Sequence, residues 1–422
     1  MIVDEDRVSY RWALEALRNG VPNRDAVRLL GCNQHEVERQ FSDRLDALSD
    51  PSRKDTPVPG ILVQGDFGTG KSHLLEYCEH LALINNFVCS RIAIGKETPL
   101  YNPEQVFRAA IENGIVPDLM GQMVDEIALK LRPDSPDYVQ LFHWSNQPEC
   151  GVSPLFPATL LLHERLNNDP ELVQDIVRFW SGDKISMARV RQGLQLIGQA
   201  SAYSLRAVPA KELATQRFAF ALQLIRGAGY RGWVILIDEL EVISAYSIMQ
   251  RGRAYAELAR WMGLAAGAEY PGLVVVGTIA TDFAEAVLNG RHDRDYVVPR
   301  LQARGTDEFN LLAARAESGM RLIERERVLL AEPTDATLDN TYSKLKEIHG
   351  KVYNWSPPDL QSADPRDPSA LRRMRTRIRR WINEWDLKRL YPDADIHIEE
   401  QRIQQTYSQD KDLEENSATE SI

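Results

Sequence analysis

Residues 65 to 73 read Gly65-Asp66-Phe67-Gly68-Thr69-Gly70-Lys71-Ser72-His73, with an apolar run, Ile61-Leu62-Val63, before them and an apolar-periodic run after. Glycines at 65, 68 and 70 let a backbone curl until successive N–H groups, those of Asp66, Phe67 and Thr69 among them, converge on one anion. A helix opening at Lys71 would add its positive N-terminal end at the same point. Lys71 supplies a point charge and Ser72 a hydroxyl that suits Mg²⁺. The spacing is G-x-x-x-x-G-K-[ST]. Between a strand and a helix it predicts a phosphate loop, which assigns residues 65 to 73 to ATP and Ser72 to the metal. The imidazole of His73 is read as packing or loop support and not as chemistry.

Downstream, Trp233-Val234-Ile235-Leu236-Ile237 runs straight into Asp238-Glu239-Leu240-Glu241. A continuous hydrophobic run reads as a buried parallel strand, whose carboxyl end is where open α/β sheets place ligands. Asp238 is therefore expected in the Mg²⁺ shell and Glu239 beside the attacking water as the catalytic carboxylate. The bland reading of the same residues is an acidic first turn that suits a helix macrodipole, and Glu241 is expected on a solvated helix face. A further strand, Leu273 to Thr278, ends in a hydroxyl. In additional-strand ATPases that position touches the water or the γ-phosphate, so Thr278 is expected as a sensor. Thr281 is expected to cap a helix opening at Asp282. Arg291, Arg294, Arg300 and Arg304 follow. One of them could be a finger reaching a neighbouring subunit's nucleotide, Arg300 first and Arg304 second, with solvated surface charges as the alternative.

The elements that must carry these residues can be sketched from pattern. Residues 5 to 48 read as helical, with Asn33-Gln34-His35-Glu36 as a capping box before Val37, Phe41 and Leu45. Asp50 to Gly60 is a proline-bearing linker, and Phe87 to Ile94 a second strand. A helix from Pro209, stopped by Gly227, leads into the acidic strand, and another spans about Arg251 to Ala266. His143, Trp144 and Cys150 fall in a loop-like segment. The fold class expected is α/β, an AAA+-like P-loop NTPase with a parallel sheet flanked by helices. Its divisions are an N-terminal helical segment 1–49 and an ATPase core 50–305 with a helical insertion at about 100–205. A helical lid 306–398, interrupted by a Pro- and Asp-rich loop from Asn354 to Ser369, and an acidic tail 399–422 complete it.

Composition narrows the class. The chain has 422 residues, 43% hydrophobic and 26% charged, which is ordinary for a globular protein large enough for two or three domains. Its four cysteines, Cys32, Cys78, Cys89 and Cys150, lack the spacing of a zinc site or a disulfide framework. The first residues lack the basic and apolar regions of a signal peptide, and no run reaches membrane-spanning length, so a cytoplasmic location is expected. A formal net charge of −11 means that nucleic acid must be met by a local patch. One candidate lies on an amphipathic stretch from Leu371 to Trp385, where Arg372, Arg373, Arg375, Arg377, Arg379 and Arg380 surround an apolar face. Its arginines fit duplex DNA, a sensor arginine for ATP on the lid, or pairing with the acidic remainder.

Three segments together resemble the P-loop ATPases of bacterial BREX phage-defence systems (BrxD type). They are Glu15-Ala16-Leu17-Arg18-Asn19-Gly20-Val21-Pro22, the loop with its flanks from Gln64 to Leu75, and Ile237-Asp238-Glu239-Leu240-Glu241. The resemblance spans about residues 10 to 390. It implies an AAA+-like ATPase distantly similar to origin-recognition proteins, acting on DNA with a partner helicase; a homo-oligomer is expected only from the finger reading of the arginines. It further implies that Lys71 and Ser72 hold phosphate and magnesium, that Asp238 holds magnesium, and that Glu239 is the catalytic carboxylate.

Overall fold

Strand β1 (Ile61–Gln64), β2 (Val88–Ala93), β4 (Trp233–Asp238), β5 (Leu273–Ile279) and β6 (Arg327–Leu329) run parallel, and β3 (Gly114–Ile115) is antiparallel to β2. This computed structural model describes residues 5–50, 52–53, 56–264, 270–360 and 374–392. The sheet order is β3-β2-β4-β5-β1-β6. Every residue of β1, β4 and β5 is buried, which explains why their sequences are unbroken apolar runs and not alternations: helices cover both faces. Because β5 lies between β1 and β4, the carboxyl ends of three strands stand side by side. Val63 is in register with Thr278, and Leu236 with Val276. That row is where the phosphate loop, Thr278 and Asp238 meet.

Helices α1 (Glu5–Asn19), α2 (Arg24–Leu30) and α3 (His35–Ser49) precede the sheet, and α4 (Lys71–Ile84) follows the loop. Helices α5 (Pro103–Glu112), α6 (Met123–Lys130), α7 (Pro136–Ser145), α8 (Leu155–Arg165), α9 (Pro170–Ser181) and α10 (Met187–Leu196) occupy the stretch between β2 and α11 (Ala210–Gly227). Helix α12 (Ile248–Trp261) joins β4 to β5, while α13 (Asp293–Gln302) and α14 (Asp307–Arg325) precede β6. The last described helices are α15 (Asp335–Tyr353) and α16 (Met374–Leu390). One sheet face packs on α3 and α4 through Phe41, Leu45, Leu74 and Cys78. The other buries Phe107, Phe218, Trp233 and Trp261 in the largest cluster. A third cluster joins Leu14 and Leu17 of α1 to Leu345, Ile382 and Trp385 of α15 and α16.

Several boundaries differ from the sequence reading. The N-terminal helical segment is three helices, and Asn33 and Gln34 form no capping box. Asn33 takes a left-handed φ of 56°, and the Gln34 amide is instead committed to the Ala331 backbone, accepting from its N–H at 2.9 Å and donating to its carbonyl at 3.1 Å. Pro209 sits at the N-cap of α11, which runs through Gly227. His143 and Trp144 belong to α7, and Cys150 ends a short 3-10 turn. Thr281 does not cap the next helix, a π-helical turn from Ala284 to Asn289 with Phe283 at its cap position. Residues 306–398 are not wholly helical, since β6 adds a sheet edge beside β1. Leu371, Arg372, Arg373, Ala266, the loop beyond Leu360 and the acidic tail 399–422 lie outside the described residues. Among the described residues no helix is long and apolar enough to cross a membrane.

Helix α4 also holds a half-buried carboxyl whose charge Arg91 and Arg24 offset only in part. Withdrawal from water, then the charge of Glu76, pushes the Glu79 carboxyl up from 4.5 to about 7. The folded chain holds that proton more tightly than the unfolded chain, so stability is fullest below the ordinary carboxyl range and declines as pH rises toward about 7. Glu79→Gln should match the parent in thermal unfolding at pH 4 and exceed it by roughly 3 kcal/mol at pH 8. Equal melting of the two proteins at pH 8 would refute this.

Candidate nucleotide site

The loop after β1 is built from tight backbone. Gly68 and Gly70 take φ values of 81° and 114°, where any other residue is strained. Gly65 is needed for space, since a Cβ there would lie 2.6 Å from Leu330 Cδ1 and 2.8 Å from Thr69 Oγ1. Its N–H donates to the Ile279 carbonyl at 3.1 Å, rooting the loop on β5, and Thr69 Oγ1 donates to the Asp66 carbonyl at 2.7 Å. Helix α4 starts at Lys71, so its unpaired N–H groups face the concavity.

Four groups converge on Asp238, the last residue of β4. Thr278 Oγ1 donates to Asp238 Oδ1 at 2.6 Å, and the Glu239 N–H to the same oxygen at 3.1 Å. Ser72 Oγ donates to Oδ2 at 3.3 Å, and Arg91 Nη2 to Oδ2 at 3.2 Å. The other arm of Arg91 pairs with Glu76 Oε2 at 3.1 Å. Ser72 Oγ and Asp238 Oδ2 are hard oxygen donors side by side, the donor set that Mg²⁺ takes from proteins, and the residues fit that ion. Thr278, expected to face the nucleotide, is completely buried and directs its hydroxyl to Asp238.

The backbone beyond Asp238 separates the two glutamates. Glu239 takes a left-handed φ of 61° and ψ of 36°, which swings its side chain into an exposed position at the cleft. Withdrawal of its carboxyl from bulk water, then the charges of Glu241 and Asp238, raise its proton affinity, while Lys71 and Arg375 oppose this. A 3-10 turn from Leu240 to Ala245 then turns Glu241 inward. The expected solvated face is not formed: Glu241 is 5% exposed. Its Oε1 lies 3.4 Å from Lys71 Nζ, which also donates to the Gly65 carbonyl at 2.9 Å.

The C-terminal helix meets this site. The Arg375 N–H reaches the Gly68 carbonyl at 3.4 Å, and its guanidinium lies 5.3 Å from the centre of the Phe67 ring. A side chain at Gly20 would meet the Cδ atoms of Arg375 and Arg379 at 3.5 Å, which gives the Asn19-Gly20-Val21-Pro22 segment a packing role under α16. A cavity of about 310 Å³ opens from Thr69 and Gly70 between Pro22, Leu30, Thr341 and Ile378. It is large enough for the nucleoside part of a nucleotide. His73 Nε2 pairs with the Gly31 carbonyl at 2.7 Å and links the loop to the end of α2; burial lowers its proton affinity, favouring the neutral ring.

The remaining arginines are placed differently. Arg300 is exposed on α13, a helix packed against α12 and α14, and Arg304 lies 6.0 Å from the centre of the Phe309 ring. Arg291 donates to the Ser244 carbonyl, and Arg294 pairs with Glu324. Arg377 is partly buried near Asp335, whereas Arg379 is exposed. Sequence reasoning missed Arg91 and misplaced Glu241. An arginine interrupting the apolar strand Val88 to Ala93 was the available signal for the first; the second depended on the 3-10 turn and had none.

A family model described as BREX system ATP-binding protein BrxC/D matches residues 10–118 and 167–363, well over half of the chain. The matched ranges contain the phosphate loop, Arg91, Asp238, Glu239 and Thr278 and stop before α16. No curated protein and no solved structure gave a significant match.

The Asp238 cluster yields a stability test. Thr278→Val keeps the shape and removes the 2.6 Å bond to a buried carboxylate. Urea unfolding should show a loss of about 1 to 2 kcal/mol. An unchanged midpoint would mean that this bond contributes nothing to holding Asp238.

Proposed function

The chain belongs to the BREX system ATP-binding protein BrxC/D family, and from that premise we propose that it hydrolyses ATP with Mg²⁺ and couples turnover to DNA and partner proteins in antiphage defence. The observation that carries the reading is the meeting of Lys71, Ser72, Asp238 and Glu239 at the carboxyl ends of β1 and β4. Backbone N–H groups within residues 66 to 73 and the Lys71 ammonium bind phosphate oxygens, while the Gly65 N–H stays on the Ile279 carbonyl. Ser72 and Asp238 hold Mg²⁺, which neutralises phosphate charge when bound. Thr278 and Arg91 keep Asp238 aimed at that point. Glu239 takes the proton of the attacking water on its carboxylate, and its place at the open end of the cleft suits that task. The nucleoside occupies the cavity between the α2 end and the last helices.

Arg375 acts as the lid's sensor in this reading, because its contacts with Phe67 and Gly68 bring a guanidinium to the loop. Its neighbours Arg372, Arg373 and Arg377 are proposed to meet duplex DNA, and a helicase of the defence system is the proposed protein partner. Arg300, with Arg304 second, is the proposed finger in a homo-oligomer assembled in the cytoplasm. The exposure of Arg300 is compatible with reaching a neighbouring subunit.

The test is steady-state ATP hydrolysis with and without duplex DNA across a range of protein concentration. Specific activity should rise with both. Activity at background in all conditions with ATP still bound would replace this reading by a nucleotide-dependent interaction module that regulates a partner. Lys71→Ala should abolish nucleotide binding, and Glu239→Gln should lower turnover by about a hundredfold or more with ATP still bound. Since the Glu239 carboxyl is raised, activity should begin to fall, as pH is lowered, above the ordinary carboxylate range. Arg375→Ala should reduce kcat/KM by about tenfold.

A further inference from the structure

Lys71 and Glu241 are both buried, at 9% and 6% side-chain exposure, and face each other at 3.4 Å. Among the described residues Glu241 Oε2 is buried with no hydrogen-bond partner, and the Lys71 ammonium is the cation paired with this carboxylate. The same ammonium is the one cation the loop itself brings to a phosphate. Two of its three N–H groups already serve the Gly65 carbonyl at 2.9 Å and Glu241 Oε1 at 3.4 Å. We infer that Glu241 is an internal anion competing with the β- and γ-phosphates for Lys71, and that it sets the affinity of the site below what the loop alone would give.

The argument is electrostatic and geometric. A buried ion pair balances its desolvation only while both partners remain, and drawing the lysine away leaves an uncompensated carboxylate. A phosphate that keeps the lysine near Glu241 instead meets that carboxylate's charge at short range in a medium of low dielectric. Either course weakens phosphate binding. Glu239 also carries a negative charge, but it is more exposed than Glu241 and its charge is the better screened. Arg375 and Arg91 do not relieve Glu241, because Arg91 is spent on Asp238 and Glu76 and Arg375 lies against Phe67. The device favours release of ADP after turnover and keeps the site responsive to changes in nucleotide supply. It rests on the assignment of the loop to ATP.

Binding of ATP, ADP and AMP to the full chain and to Glu241→Gln, read by calorimetry with Mg²⁺ present, tests this. The variant should bind ATP and ADP about tenfold more tightly, and the gain should vanish for AMP, which lacks the β-phosphate. A merely structural role would weaken all three ligands together or move none. Affinity for ADP that is unchanged or lower in a folded variant overturns the inference. If Glu241→Gln does not fold, Glu241→Asp, which draws the charge back by one methylene, should still tighten ADP binding; no tightening there overturns it equally. A parent chain that binds neither ATP nor ADP would instead overturn the reading of the loop.

Discussion

A single buried carboxylate, Asp238, sets the terms for the rest of the molecule. Placing an ionised group at 6% exposure costs several kcal/mol unless donors surround it. The donors come from four separate elements: Ser72 from α4, Arg91 from β2, Thr278 from β5 and the Glu239 N–H from the turn beyond β4. They can reach one residue only if β2 and β5 flank β4 and if β1 delivers α4 on the far side of β5. The observed order β2-β4-β5-β1 meets that condition. The sheet sequence and the site are thus two views of one requirement, and a register slip of one residue in β5 would turn Thr278 away from Asp238.

The N-terminal and C-terminal helices are tied to the loop by a second set of contacts. Arg18 of α1 pairs with Asp386 of α16 at 2.7 Å and donates to the Tyr353 hydroxyl at 2.9 Å. Burial would raise the Asp386 carboxyl, but the bond from His349 and the charge of Arg18 hold it below its usual value. His349 is fully buried and receives the Trp355 indole N–H at 2.8 Å, which leaves its other nitrogen to donate to Asp386. On the opposite side α2 rests on α4, with the Gly31 carbonyl bonded to His73. Helices α1 and α2 therefore bridge α15 and α16 to the helix that starts at the phosphate loop. Any rearrangement of the last helices that shifts Arg375 must be transmitted through, or resisted by, that bridge.

How much of this was legible follows from the range of the interactions. Strands β1, β4 and β5 announced themselves because burial on both faces leaves an unbroken apolar run, and the loop because its glycines answer a local backbone demand. Strand β6 is three residues long, partly exposed, and held by pairing with β1, so its own residues carry no period. The missing capping box has a similar cause, since the Gln34 side chain is claimed by Ala331, a contact 297 residues away. Glu241 was misread because its burial depends on the left-handed conformation of Glu239, which shifts the following turn out of helical phase. Arg375 was grouped with arginines that could meet DNA, and only the packing of α16 over Gly20 and Phe67 sets it apart.

The three acids after the apolar strand illustrate how backbone conformation alone makes unlike groups from like side chains. Asp238 is still in the strand, so it points along the sheet's carboxyl edge and is held by oxygen and nitrogen donors. Glu239 has left the strand in a conformation that non-glycine residues rarely adopt, at a cost of about 1 to 2 kcal/mol, and stands exposed at the cleft. Glu241 is carried by the 3-10 turn back under the loop, where it pairs with the loop lysine. A regular helix starting at Asp238 would have set successive residues about 100° apart around one axis, so the second and fourth positions would have pointed to nearly opposite sides and could not both address the loop lysine. The strained residue at 239 is what lets two glutamates address one lysine from opposite environments, one in solvent and one in the core. Strain of that size persists only where surrounding packing over-determines it, and here Leu240 and Ile243, both fully buried on either side of Glu241, anchor the turn that enforces it.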